Sequence, residues 1–217
     1  MLAFSGVLCV TGCIQRAPHI VNNGQPAITA APSQITLAVD DYYYYLEGER
    51  VPLTPALDWV VVKFASSDAA VQEEAIKKYE SFLAPLAQAQ EVPAPGIMLL
   101  PLRTGLTTEI FTELLKTMRE DTTSFSLANP LFHTEDAEMA VGDEFIAAFP
   151  AGTSLTDINK INSLHGVELV EPILGQENTF VLQVTPEADR DALSMANLYQ
   201  ESNIAVFAVP NFIRIKL

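Results

Sequence analysis

Residues 144–217 carry the most restrictive pattern in the chain: strand, helix, strand, strand, helix, strand, with a breaker or a cap at each junction. An apolar run from Glu144 to Phe149 is broken by Pro150 and Gly152. Ser154 then offers a hydroxyl to cap a helix, and Asp157 places a carboxylate in the first turn, where the helix dipole is positive. Leu155, Ile158, Ile161 and Leu164 recur on one helical face, and Gly166 supplies the left-handed residue that ends the helix. Residues 167–171 and 179–184 read as two strands joined through the breaker-rich stretch from Pro172 to Asn178. Pro186 with Glu187, Asp189 and Asp191 opens a second helix, whose Ala192, Met195, Ala196 and Tyr199 are spaced to lie on a sheet. Residues 205–209 close the set as a fourth strand.

Two strand-helix-strand crossovers in so short a stretch are most simply a four-stranded antiparallel sheet with both helices on one face, the ferredoxin-like βαββαβ plait. A worn copy of the same pattern precedes it. Trp59 to Phe64 stands for the first strand, residues 68–83 for an amphipathic helix with Val71, Ala75, Tyr79 and Phe82 on one face, and residues 97–102 for the third strand. Residues 107–120 and 124–132 supply the second helix and fourth strand, and the second strand falls near residues 88–92. The expected fold class is therefore α+β: two ferredoxin-like plaits from a degenerate tandem duplication, residues 58–132 and 143–217, joined by an acidic connector at 133–142. A Tyr-rich hairpin at residues 40–57 precedes them, with four consecutive tyrosines, Tyr42 to Tyr45, before a Glu47-Gly48-Glu49 turn. Such a run places two rings on each face of a strand, one pair packed on the sheet and the other exposed.

Several segments of the second repeat resemble a known family. They are residues 144–149, the Gly152-Thr-Ser-Leu155 cap, the Leu164-His-Gly-Val167 helix end, residues 178–184, and the Pro210-Asn-Phe212 close. Together they are similar to the propeptide domain that precedes subtilisin-like serine proteases, in particular the fervidolysin-like N-terminal prodomain. The resemblance covers the last third of the chain and implies a folding chaperone and inhibitor of a protease. In such propeptides the open sheet face lies on surface helices of the enzyme, and the residues after the last strand enter its substrate cleft in extended form. Carried onto this sequence, the tail is Asn211, Phe212, Ile213, Arg214 and Ile215, and the sheet face is Phe145, Ala147, Phe149, Phe180 and Phe207. No protease sequence follows Leu217, so the expectation is action in trans.

Residues 1–13 form an apolar run ending in Val10-Thr11-Gly12-Cys13, which resembles the lipobox of bacterial lipoproteins. That implies cleavage before Cys13, a lipid anchor on its thiol, and a place in the bacterial cell envelope, facing the periplasm or the exterior. Cys9 would leave with the signal, so no pair of thiols remains for a disulfide. Residues 14–39, rich in Pro, Asn, Gln, Ala and Ser with Arg16 as the sole charge, read as a flexible tether.

A net charge of −15 argues against nucleic acid as a partner. Ser154 and His165 echo fragments of protease active sites, but they bracket one helix and so stand about 15 Å apart, beyond hydrogen-bond reach. Neither His19 nor His133 has the spacing of a zinc site, and no Gly-rich phosphate loop occurs. The sequence therefore points to no catalysis, cofactor, metal or small-molecule substrate. What it offers is strands apolar on both faces, which require a second cover: the other repeat or a protein partner. The first reading is a propeptide-like inhibitor or folding chaperone of a subtilisin-like protease, anchored to the membrane by lipid. The alternative is a structural or assembly lipoprotein using its plaits for protein–protein contacts.

Overall fold

The computed structural model describes residues 42–134 and 137–215. The expected signal, the lipidation site at Cys13 and the tether lie outside the described residues, as do Asp40 and Asp41 of the hairpin. In chain order the elements are β1 (Tyr43–Leu46), β2 (Glu49–Pro52), β3 (Thr54–Phe64), α1 (Ala69–Lys78), β4 (Gln90–Glu91), β5 (Ile97–Pro101), α2 (Thr108–Glu120), β6 (Phe125–His133), β7 (Glu138–Ala148), α3 (Leu155–Leu164), β8 (Val167–Pro172), β9 (Thr179–Val184), α4 (Ala192–Glu201) and β10 (Phe207–Ile215). The fold is α+β, with a small hairpin sheet and one eight-stranded antiparallel sheet.

The helix starts follow from side-chain chemistry. Asp68, Thr107, Ser154 and Asp191 each accept a backbone N–H from the first turn of α1, α2, α3 and α4, satisfying donors that an α-helix leaves orphaned. The fourth helix starts at Asp191 and not at Pro186 as the sequence pattern suggested. Ser194 N–H and Met195 N–H both bond Asp191, while Ala188 N–H turns back to the Thr185 carbonyl. The first helix stops at Lys78 rather than Leu83, because Tyr79 leaves helical geometry, the Ala84 N–H bonds the Pro101 carbonyl and the Phe82 carbonyl accepts the Arg103 N–H.

Each half runs its strands in the order second, third, first, fourth: β4-β5-β3-β6 and β8-β9-β7-β10. In the first half Val60, Val62, Leu100 and Ala128 meet Ala75, Phe111, Leu115 and Met118 beneath α1 and α2. In the second, Phe145, Ala147, Phe149 and Leu182 meet Ile158, Met195, Ala196 and Tyr199 beneath α3 and α4. The expected apolar stripe of α3 is only partly used. Ile158 is buried, whereas Leu155 and Leu164 face solvent, because that helix rolls to bury Asn162, which accepts the Tyr199 hydroxyl.

The connector expected at 133–142 is shorter than the charge pattern suggested. The strands on either side extend to His133 and from Glu138, and they pair with each other as Leu131↔Ala140, Phe132↔Met139 and His133↔Glu138. One sheet therefore runs through both halves. β7 is the seam: its first part lies against β6, its later part against β9, and β10 flanks it along its length.

The fourth strand of the second half is also longer than expected. The residues assigned to a free tail, Asn211 to Ile215, are the second half of β10, with Asn211 at a bulge and Phe212 to Ile215 in register with Val141 to Glu138. Ile213 and Ile215 join Val61, Ile97, Leu99 and Leu131 in a third core, on the face of the first half that its helices leave bare. Phe212 packs edge-on against Tyr44 at 5.1 Å, and Asn211 Nδ2 donates to Glu144 Oε2 at 2.8 Å. The apolar character of Ile213 and Ile215 is thus explained by internal burial.

The hairpin turns through Glu47 and Gly48, both at positive φ, the two-residue geometry that matches strand twist. All four tyrosines have partners. Tyr42 is buried against Phe132, Tyr44 meets Phe212, and the hydroxyls of Tyr43 and Tyr45 both donate to Glu201, with the Arg50 guanidinium stacked on Tyr43. The Tyr43 carbonyl accepts Asn197 Nδ2 of α4. The hairpin therefore opens the described chain in sequence but clamps onto the second half in space.

Candidate protein-binding face

Alternate residues of a strand point to opposite sheet faces, and residues in register share a face. Phe145, Ala147, Phe149 and Phe180, expected to form an open binding face, point to the helix side and are buried in its core. Only Phe207 of that set lies on the other side. The open face is built from the intervening positions. One row runs Phe207–Ala148–Thr179, the next Val209–Ile146–Val181–Glu171, and a third Glu144–Gln183–Glu168. None of these residues belongs to the three cores, although Ala148, Thr179 and Val181 are themselves buried by their neighbours. Phe207 is 39 % exposed and its neighbour Val206 64 %. The face is thus apolar over two rows and acidic along its β8 edge and third row.

The two halves differ here for a stated reason. The first half's outer face is filled by Val92, Ala94, Ile213 and Ile215, whereas Ile146 and Val209 of the second half's outer face are half-buried and belong to no such cluster. Sequence reading missed the parity because residues 145–149 and 205–209 are apolar at almost every position, so no alternation marks which side the helices take.

No protein-family model matches the sequence. No curated protein matches it either. The site therefore rests on its own geometry.

At the seam, a cleft of about 420 Å³ is lined by Lys63, Asn129, Asp143, Gln183 and Asp191 among others. Its polar groups satisfy one another: Lys63 Nζ and Gln183 Nε2 each donate to Asp143 Oδ2 at 2.9 Å, and Asn129 Nδ2 donates to the Val141 carbonyl. Burial penalises the Asp143 charge, but these donors outweigh it and hold its carboxyl below the usual range. A depressed folded value contributes stability above the ordinary carboxylate titration near pH 4 and loses it as pH falls through the folded value. The expected result is a urea midpoint that drops below about pH 4, with a smaller drop in Lys63→Met, measured by fluorescence of Trp59.

Ser154 and His165 sit at opposite ends of α3. Ser154 Oγ donates to Asp157 Oδ2 and accepts the Asp157 N–H, while His165 packs edge-on against Tyr199 at 5.7 Å. Among the described residues no group of three or more His, Cys, Asp and Glu could hold a metal ion, and no helix is long and apolar enough to cross a membrane.

Proposed function

We propose that this chain is a binding protein without catalysis, built of two ferredoxin-like plaits, that acts in trans as folding chaperone or inhibitor of a subtilisin-like serine protease. The single observation that carries the reading is the asymmetry of the sheet: one outer face is closed by a core of the chain's own residues, while the apolar face through Ile146, Val209 and Phe207 joins no core, with Ile146 and Val209 half-buried and Phe207 exposed. The second-third-first-fourth strand order in each half supports the plait assignment. An apolar face of this kind on a chain of net charge −15 is suited to a protein partner. With Asn211 to Ile215 held in β10, docking on the protease's surface, which templates its folding, weighs above filling its cleft. The lipobox resemblance at Cys13 supports a site of action at the envelope membrane.

The same placement of Asn211 to Ile215 favours a second reading, an assembly lipoprotein that binds another envelope component through the open face. One experiment separates the two. The purified full chain is added to refolding and to native subtilisin-like proteases, and recovered and residual activities are measured alongside a Phe207→Glu variant. Under the protease reading the parent raises refolding yield or inhibits, and the charge on the face weakens either effect by about tenfold or more. A folded parent chain that changes neither activity, for any protease tried, sinks it in favour of the assembly reading.

A further inference from the structure

The most exposed large apolar side chain among the described residues is Leu174, at 94 %. It is not carried on a loose loop. The Ile173 N–H bonds the Thr179 carbonyl at 2.8 Å, closing the hairpin between β8 and β9, and the Gln176 N–H returns to the Ile173 carbonyl at 3.2 Å. Ile173 to Gln176 is thus a four-residue turn with Gly175 at φ +79° in its third place, where a type II turn needs a residue free of a Cβ penalty. The arm that follows is braced as well. Asn178 Nδ2 donates to the carbonyls of Pro150 and Thr153, and Thr179 Oγ1 donates to the Glu177 carbonyl. A bulky aliphatic side chain stands in water on a fixed turn, so the backbone that carries it is already ordered before any encounter.

The turn stands at the Phe207 end of the open sheet face, since Thr179 pairs with Ala148 and Ala148 with Phe207. Its surroundings are acidic: Glu171 and Glu177 flank it, and Glu144 and Glu168 border the face beyond. Lys160 on α3 and Arg190 just before α4 belong to the helix layer on the opposite side, while Lys63, paired with Asp143, and Arg214 line a cleft with Glu144 and Gln183 at the end of the face away from the Leu174 turn. A second copy would bring two acidic borders together, which opposes self-association through this face.

We propose that Leu174 is a specificity anchor, entering an apolar pocket on a partner protein whose surrounding surface is basic. The proposal rests on the docking reading above and adds to it a residue outside the sheet face and a charge sign for the partner. The turn also explains why Leu174 is not bait: a protease cleaves an extended segment, and the Ile173–Gln176 hydrogen bond keeps this one folded.

The test measures binding of the full chain to immobilised subtilisin-like proteases carrying Ser→Ala at their nucleophile, by surface plasmon resonance at low and high salt. Leu174→Ala is expected to weaken binding about ten- to a hundredfold, mostly through faster dissociation. Gly175→Ala keeps every contacting atom but disfavours the turn, and is expected to weaken binding by a smaller factor. High salt is expected to slow association. Because Leu174 is exposed, its variant should keep the parent's circular dichroism and melting. If Leu174→Ala binds like the parent while Phe207→Glu does not, the anchor is overturned and the docking face stands. If the parent binds none of the proteases, both fall. If sedimentation shows a dimer that Leu174→Ala abolishes, the pocket belongs to a second copy and the basic partner is overturned.

Discussion

Arg119→Met is expected to lower the free energy of unfolding by about 3–5 kcal/mol, the usual cost of leaving one buried charge without its partner. Arg119 ends α2 and Asp191 caps α4, so their 2.8 Å ion pair joins the two helix layers across the seam. Both side chains are almost wholly out of water, at 2 % and 7 % exposure. The guanidinium also donates through Nε to the Ala128 carbonyl at 2.7 Å and through Nη2 to Asn129 Oδ1 at 2.9 Å. Methionine fills the volume of the stem but leaves the Asp191 carboxylate desolvated. Adding Asp191→Asn, which keeps an oxygen to cap α4 and removes the orphaned charge, should recover a large part of the loss. Arg119→Lys should not restore full stability, since a single ammonium cannot reproduce the fork. Urea titrations of the parent and the three variants measure this, and a loss under about 1 kcal/mol in Arg119→Met would show that water reaches the pair in solution.

Tyr199→Ala is expected to cost a comparable amount, about 3–5 kcal/mol, through the cavity it opens. Its ring is fully buried and lies edge-on to Phe145 at 5.1 Å, to Phe149 at 6.3 Å and to His165 at 5.7 Å, so it joins α4 to the sheet and to the end of α3. Tyr199→Phe separates packing from hydrogen bonding. It keeps the ring but leaves Asn162 Oδ1, itself buried, without its donor, at a cost of about 1–3 kcal/mol. Burial pushes the Tyr199 hydroxyl well above the ordinary tyrosine range, and burial with the neighbouring Asp121 does the same for Tyr79, so spectrophotometric titration should show a group of tyrosines ionising late, as the protein unfolds in alkali. Tyr199→Phe should lower the amplitude of that late step by one hydroxyl.

The order of elements was legible in the chain because it is written locally. Ser154 caps where the pattern placed it, Gly166 sits at φ +65° where the helix had to end, and residues 179–184 form the expected strand. Gly166 is held there for a second reason that no local pattern carries: a Cβ would meet the Ala188 backbone at 2.9 Å. What could not be read was what depends on residues far apart. The Arg119–Asp191 pair spans 72 positions, and before folding Asp191 is only one acid in an acidic run. The burial of Ile213 and Ile215 required knowing that β10 reaches the first half's bare face. The binding face was placed on the wrong side because strands apolar at every position do not declare which side meets the helices. Leu174 carried no signal at all beyond standing beside a glycine in a turn.

The clamp of the Tyr-rich hairpin on α4 and β10 also bears on how the chain folds. Asn197 reaches the Tyr43 carbonyl across 154 residues, and Phe212 reaches Tyr44 across a longer span still. Closing so large a loop is entropically costly and is repaid only when the far elements are already in place, so such contacts slow folding. During synthesis the hairpin emerges long before α4 and β10, the partners it packs on. Until β10 arrives, the first half's outer face also lacks Ile213 and Ile215, so a growing chain exposes two unfinished surfaces at once, and both close in a single late step.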